Sequence, residues 1–309
     1  MEGLLCNERA ERTEPLAEPR TEPRIESALS AALERAGAQP TCPPKLAESL
    51  HYAVFPGGAR VRPRLCLAVA EACGSEASEP AVAAATALEL LHCASLVHDD
   101  LPCFDDAALR RGKPSLHRAM GEPLALLTGD ALIVLAFETI AGSGAEADRC
   151  LAPLLLTVSR AVGGPGGIVA GQAWECEPRV VLADYHRAKT AALFVAATEA
   201  GAIASGADPV AWRALGERIG EAYQVADDLR DAVSTPEELG KPAGQDSLHA
   251  RPNAVAELGL DGAISRLESL LAEASDSVPE CRGAVALRSL VAVQAKRLMP
   301  RKLARADLA

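Results

Sequence analysis

Aromatic side chains are scarce, at 3% of the 309 residues, and hydrophobic content of 49% is carried mainly by Ala and Leu. Sheets draw on aromatic and β-branched residues, so a strand-rich fold is disfavoured and an all-α one is favoured. Positive charge is also short: 31 Lys and Arg against 42 Asp and Glu leave a net charge of -11. That balance argues against a nucleic-acid partner, which needs a basic face. None of the nine cysteines stands in C-x-x-C spacing, which excludes the usual zinc or disulfide frame and points to reduced thiols in the cytoplasm. No basic-then-apolar leader opens the chain. Long apolar runs are missing too: Leu124 to Phe137 is short and interrupted by Asp130, so no transmembrane segment is expected.

What is present is a series of helical runs cut by punctuators. Glu14-Pro15, Glu18-Pro19 and Glu22-Pro23 place Pro at every fourth position. Residues 1–24 therefore read as a disordered tail, and 25–309 as one helical domain. Pro56-Gly57-Gly58, Gly121-Glu122-Pro123, the Gly163–Gly167 run and the polar stretch from Ser234 to Pro252 mark the breaks. Between them, runs such as Val82 to His98 and Asp130 to Ala141 carry apolar residues every third or fourth place, as packed helices do.

Two acidic clusters stand out. An apolar helix from Val82 to Val97 runs into Asp99 and Asp100, Pro102 ends or bends it, and Asp105 and Asp106 follow. Carboxylates at a helix C-terminus oppose the helix dipole and call for a cation. Magnesium suits them, because it binds through one or two carboxylates plus substrate phosphates. Arg110 and Arg111 follow at once, and Arg forks match phosphate oxygens. In the second cluster, Asp231 lies four residues after Asp227 and three after Asp228, which puts like charges on one helix face. Gln224 sits one turn earlier. Basic residues occur in turn-like settings at Arg60, Arg62, Arg64, Lys189, Lys241 and Arg251. Together these describe a site where metals and cations neutralise two diphosphates.

At these residues the sequence resembles the trans-isoprenyl diphosphate synthases, and is most similar to bacterial geranylgeranyl diphosphate synthases of carotenoid and bacteriochlorophyll pathways. The motifs are D-D-x-x-x-x-D at Asp99, Asp100 and Asp105, R-R-G-K-P from Arg110, Q-x-x-D-D-x-x-D from Gln224 to Asp231, and E-E-L-G-K-P ending at Pro242. The resemblance covers residues 28–300. It implies a single-domain bundle of long helices around a deep central cavity, and a homodimer. It implies Asp99, Asp105 and Asp227 as principal magnesium ligands, with Asp100, Asp228 and Asp231 in support and about three ions per site. Arg110, Lys189 and Lys241 would hold the allylic diphosphate, and Arg251 is a further substrate-binding residue. Arg62, His92 and Arg111 would hold isopentenyl diphosphate, and Gly58 is a further substrate-binding position. Thr190 and Gln224 would face the developing allylic cation. No protein general base is needed, because the released diphosphate can take the proton, and His98 reads as structural.

Three departures from the family pattern are visible. The turn G-G-K-R-x-R-P reads Gly57-Gly58-Ala59-Arg60-Val61-Arg62-Pro63, so Ala59 replaces a Lys expected to touch isopentenyl diphosphate, with Arg60 or Arg64 as possible substitutes. Ala107 and Ala108 shorten the first acidic run. Glu175 stands after Gln172 where Asp is common. For product length, Ala94 and Ser95 lie five and four residues before Asp99, about 6–7.5 Å along the helix. Farnesyl-forming relatives close the pocket near this point with an aromatic, so two small residues favour a C20 product. A farnesyl diphosphate synthase and a non-catalytic regulatory subunit are the alternative readings, the latter supported by Ala59. A terpene cyclase is opposed by the second cluster, which lacks the Asn/Asp-x-x-Ser/Thr-x-x-x-Glu pattern.

Overall fold

The structure, a computed structural model, describes residues 18–55, 57–75, 78–144, 149–233 and 253–298. At its centre is α4 (Glu79–Asp99), which starts with Pro80 in its first turn, a position that tolerates a missing N–H. α4 is apolar on most of its surface, as core helices are. Ala81, Ala84, Ala85, Ala87, Leu88, Leu90 and Leu91 are all buried. Around it pack α1 (Glu18–Gly37), α2 (Pro44–Val54), α3 (Val61–Ala72), α6 (Glu122–Ala141), α7 (Leu151–Val162) and α10 (Ala192–Ala204). Small residues set the spacing. A Cβ on Gly201 of α10 would come within 2.4 Å of the Cys66 carbonyl on α3, so the two backbones touch. Truncating Leu88 or Leu91 to Ala would cost about 2–5 kcal/mol, because nothing can collapse into the space.

The short helix α5 (Leu116–Met120) packs on α6 and α2, and the second wall starts with α8 (Ile168–Trp174) and α9 (Leu182–His186). α9 continues through a π-turn at Arg187–Ala191 into α10. A single 3-10 turn (Pro209–Trp212) then leads into α11 (Arg213–Val233). α11 lies against that unit through Gly216 and Gly220, where a Cβ would meet Val195 at 2.5 Å and Ala191 at 2.6 Å. α12 (Ala254–Asp276) covers α11 with Ala263, Leu267 and Leu270 as a second core, and α13 (Ala284–Leu298) closes the end. The strands β1 (Leu109–Arg110) and β2 (Lys113–Pro114) form a two-residue hairpin. The fold is all-α apart from that hairpin among the described residues.

Two expectations change. The helix expected from Ile25 begins at Glu18 with Pro23 inside it. A Pro this near the start forfeits one backbone bond, and burial of Ile25, Leu29 and Leu33 supplies the stability that propensity does not. Residues 1–17 of the expected tail lie outside the described residues. Second, α4 and α6 are long and apolar enough to cross a membrane by length and hydropathy. α4 is a core helix, with 78% of its apolar window buried. α6 leaves Leu126, Leu127 and Val134 exposed.

Candidate active site

The C-terminal ends of α4 and α11 face one another across a cleft of about 470 Å³. From the first cluster it takes Asp99 and Asp105, and from the second Gln224, Asp227 and Asp231. The basic wall is Arg62, Arg110, Arg111 and Lys189, with Gly58, His92, Ser95 and Thr190 between them. Thirteen of the residues expected at the site thus share one cavity. Lys241 and Arg251 lie outside the described residues.

Three of the expected residues turn away. Asp100 is 2% exposed and is gripped by Arg110, whose Nε donates to its two oxygens at 3.0 and 3.1 Å while Nη2 closes the fork. Burial pushes the Asp100 carboxyl above its ordinary value, with Arg110 pulling the other way. Asp228 is 3% exposed; it accepts from the Ala254 N–H at 2.7 Å and from Gln224 Nε2 at 2.9 Å. It therefore ties the start of α12 to α11 and orients Gln224. Ala94 is packed in the core at 1% exposure, while Ser95 lines the cleft and donates to the His92 carbonyl at 2.8 Å.

The backbone explains why the others converge. After Asp99 the chain folds back on the helix end: Asp105 N donates to the Asp99 carbonyl at 3.0 Å and Asp106 N to that of Leu101 at 3.1 Å. Asp106 adopts φ 44 and is held by Arg118 at 2.8 Å. The R-R-G-K-P run is the hairpin. Arg111 and Gly112 have φ 55 and 76, the pair of positive values that a two-residue turn matched to strand twist requires. Lys113 Nζ donates to the Tyr52 and Phe55 carbonyls at 2.6 and 2.7 Å, locking the hairpin to the end of α2. Gly58 leaves room for the Arg111 guanidinium, which a Cβ would approach to 2.9 Å. The π-turn, a device that recurs at functional sites, brings Lys189 and Thr190 round to the acids. Gly171 lets α8 come against it, since a Cβ there would sit 2.5 Å from the Lys189 backbone.

Electrostatically the cleft is divided. Lys189 pairs with Glu175 and lies 3.6 Å from Asp99, and Glu175 also accepts from the Tyr185 hydroxyl at 2.7 Å. Thr190 Oγ1 donates to Gln224 Oε1 at 2.7 Å, completing a relay to Asp228. Desolvation, then the charges of Arg62, Arg111, Arg110 and Arg60, hold the His92 imidazole well below its ordinary value, so it faces the cleft neutral. The Arg62 guanidinium lies 4.5 Å above the Phe194 ring, and its buried Nε meets no acceptor.

The donor set fits a hard cation. Asp99 Oδ1 is buried without a hydrogen bond, an oxygen that an ion would complete. Among the described residues no group of three His, Cys, Asp or Glu could cage a metal unaided. An ion held at either wall would take its remaining ligands from phosphate and water, as magnesium does.

Several residues of the cleft are not among those the sequence points to, including Glu89, Tyr185, Tyr223 and Arg230. Glu89 was visible as a carboxylate inside the apolar run of α4, which demands a buried cation. That cation is Arg60, which donates to Glu89 at 2.7 Å. Arg60 is thus occupied, and Arg64 lines a separate apolar pocket behind Tyr223.

Relatives agree with this geometry. The polyprenyl synthetase family model matches residues 43–287. The chain is 56% identical over 262 residues to the geranylgeranyl diphosphate synthase of Cereibacter sphaeroides, covering 85% of this chain and 91% of that one. It is 54% identical over 258 residues to that of Rhodobacter capsulatus, covering 83% and 89%. In structure it is similar to a geranyltransferase from Helicobacter pylori complexed with magnesium and isoprenyl diphosphate. There the TM-score is 0.76 and the identity 30%, covering 92% of this chain and 98% of that one. With its two acidic clusters set across one cleft and its sequence matched over most of its length, the chain belongs to the polyprenyl synthetase family.

Proposed function

We propose that the chain is a prenyltransferase that condenses isopentenyl diphosphate with allylic diphosphates, up to farnesyl diphosphate. The products are all-trans geranylgeranyl diphosphate and free diphosphate. One observation carries this reading: Asp99 and Asp105 face Asp227 and Asp231 across a single cleft that Arg62, Arg110, Arg111 and Lys189 also line. The names of the two bacterial relatives support the C20 product.

Asp99 and Asp105 on one wall, and Asp227 and Asp231 on the other, would hold magnesium, about three ions in all. Bound there, the metal supplies Lewis-acid neutralisation of the departing diphosphate. Arg110 and Lys189, with Lys241, hold that diphosphate as charge builds on its oxygens; removing one such fixed charge typically costs about 10²–10³-fold in kcat. Arg62, Arg111 and neutral His92 hold isopentenyl diphosphate. Thr190 and Gln224, fixed by their hydrogen bonds, present oxygens to the allylic cation. Leu96, Ile168 and Leu193 line the same cleft and keep water from the cation. The proton lost from the new chain goes to the released diphosphate.

Self-association as a homodimer is supported by the exposed apolar side chains of α6 and by Leu156 of α7. The eight described cysteines are free, which suits a cytoplasmic enzyme.

Incubating the purified chain with magnesium, isopentenyl diphosphate and farnesyl diphosphate, then sizing the product, tests the reading. A C20 diphosphate is expected. A parallel incubation with geranyl diphosphate in place of farnesyl diphosphate separates the failures: no turnover of either favours a regulatory subunit, turnover of geranyl diphosphate alone a farnesyl-forming enzyme, and a cyclic hydrocarbon a cyclase.

A further inference from the structure

The turn that carries Arg62 is built around a buried cation. Arg60, 2% exposed, adopts φ 47, a left-handed conformation that a residue with a side chain keeps only where its surroundings over-determine it. Those surroundings are specific. Nε donates to Glu26 Oε1 at 2.7 Å and Nη2 to Glu26 Oε2 at 3.2 Å. Nη1 donates to Glu89 at 2.7 Å, and Nη2 also reaches the Val54 carbonyl at 3.0 Å. Gly57 wraps over the guanidinium so closely that a Cβ would lie 2.2 Å from Nη2.

The two carboxylates come from different elements. Glu89 belongs to α4, inside the stretch matched by the family model. Glu26 belongs to α1, ahead of residue 43 where that match begins. Glu89 fixes the depth of Arg60, while the two-pronged contact with Glu26 fixes the orientation of the fork. Arg60 in turn anchors a turn whose next residues include Arg62, and Gly58 on its other side makes room for Arg111. With Ala59 supplying no cation, presentation of an anion to this turn depends on those two arginines.

We propose that Glu26 is a positioning residue for isopentenyl diphosphate. It acts through Arg60 on the 57–62 turn, so the N-terminal helix α1 is part of the substrate-binding apparatus. The inference rests on the function proposed above. Steady-state kinetics on the full chain, varying each substrate at saturating levels of the other, compare the unaltered chain with Glu26→Ala and Glu26→Gln. For Glu26→Ala the KM for isopentenyl diphosphate is expected to rise about tenfold, with kcat and the KM for farnesyl diphosphate within about twofold. Glu26→Gln, which keeps one acceptor, should fall between, and it serves if the Ala variant folds poorly. An unchanged KM for isopentenyl diphosphate would overturn the inference. So would a parallel change in both KM values and kcat, or a lower melting temperature with unaltered kinetics. If the unaltered chain makes no prenyl product, the proposed function falls as well; a failure confined to the variants sinks this inference alone.

Discussion

The two acidic clusters reach the same cleft by different backbones. In α11 the work is done by helical spacing: Asp227 and Asp231 are one turn apart, and no change of chain direction is needed. In the first cluster α4 ends at Asp99, and a loop hydrogen-bonded back to the helix end returns Asp105 to the same side. Both clusters nevertheless divide an adjacent Asp pair in the same way. Asp99 and Asp227 face the cleft, while Asp100 and Asp228 turn inward to hold Arg110 and the start of α12. Neighbours on a helix point about 100° apart, so one can serve the site and the other its frame.

That division can be broken by mutation. The largest effect is expected for Asp99→Ala and Asp227→Ala, which should lower kcat by about 10²–10³-fold or more with little change in melting temperature. Asp228→Ala should act first on stability, by about 1–3 kcal/mol, because it strands the Ala254 N–H and the Gln224 amide. If Asp99→Ala and Asp228→Ala showed the same kinetic and thermal profile, the division would be wrong.

A smaller effect is expected one turn below the first cluster. Ser95→Phe should block the cleft and shift product from C20 to C15, as seen by chromatography of the hydrolysed products. Ala94→Phe, in a filled core, should mainly cost about 1–3 kcal/mol of stability. The reverse outcome would put the prenyl channel on the other face of α4. Smaller again is Ala59→Lys, which should lower the KM for isopentenyl diphosphate about threefold by adding one solvent-screened charge; no change would mean Arg62 and Arg111 already saturate that diphosphate.

A further effect, on stability alone, concerns pH. Burial pushes the His186 imidazole down to about 4 from its ordinary 6.5, with Glu221 opposing. The unfolded chain then binds this proton at a higher pH than the folded one. The contribution is therefore intact above about 6.5 and is lost as pH falls toward 4. His186→Asn should flatten part of the decline in melting temperature across that window, and an unchanged slope would show that His186 does not contribute.

Much of this was legible in the sequence because the relevant contacts are local. Helical spacing placed Asp227 with Asp231, and a helix ending in acids announced Asp99. What stayed hidden depends on long-range packing. Which Asp of each pair turns inward is decided by Arg110 and by the Ala254 N–H, the latter 26 residues from Asp228. Glu26 meets Arg60 across 34 residues. The early start of α1 is set by burial that its Pro-rich sequence conceals. The π-turn under Lys189 is packed closely against α8 at Gly171 and α11 at Gly220, contacts made across many residues of chain.

The division of the Asp pairs is tested most directly by a crystal structure of the chain with manganese and a thiolo analogue of farnesyl diphosphate, with the ions located by anomalous scattering. The predicted result is ions bound by Asp99 and Asp105 on one wall and by Asp227 on the other, with Asp100 still on Arg110 and Asp228 still on Ala254. Ions ligated by Asp100 or Asp228, with those inner contacts broken, would contradict it.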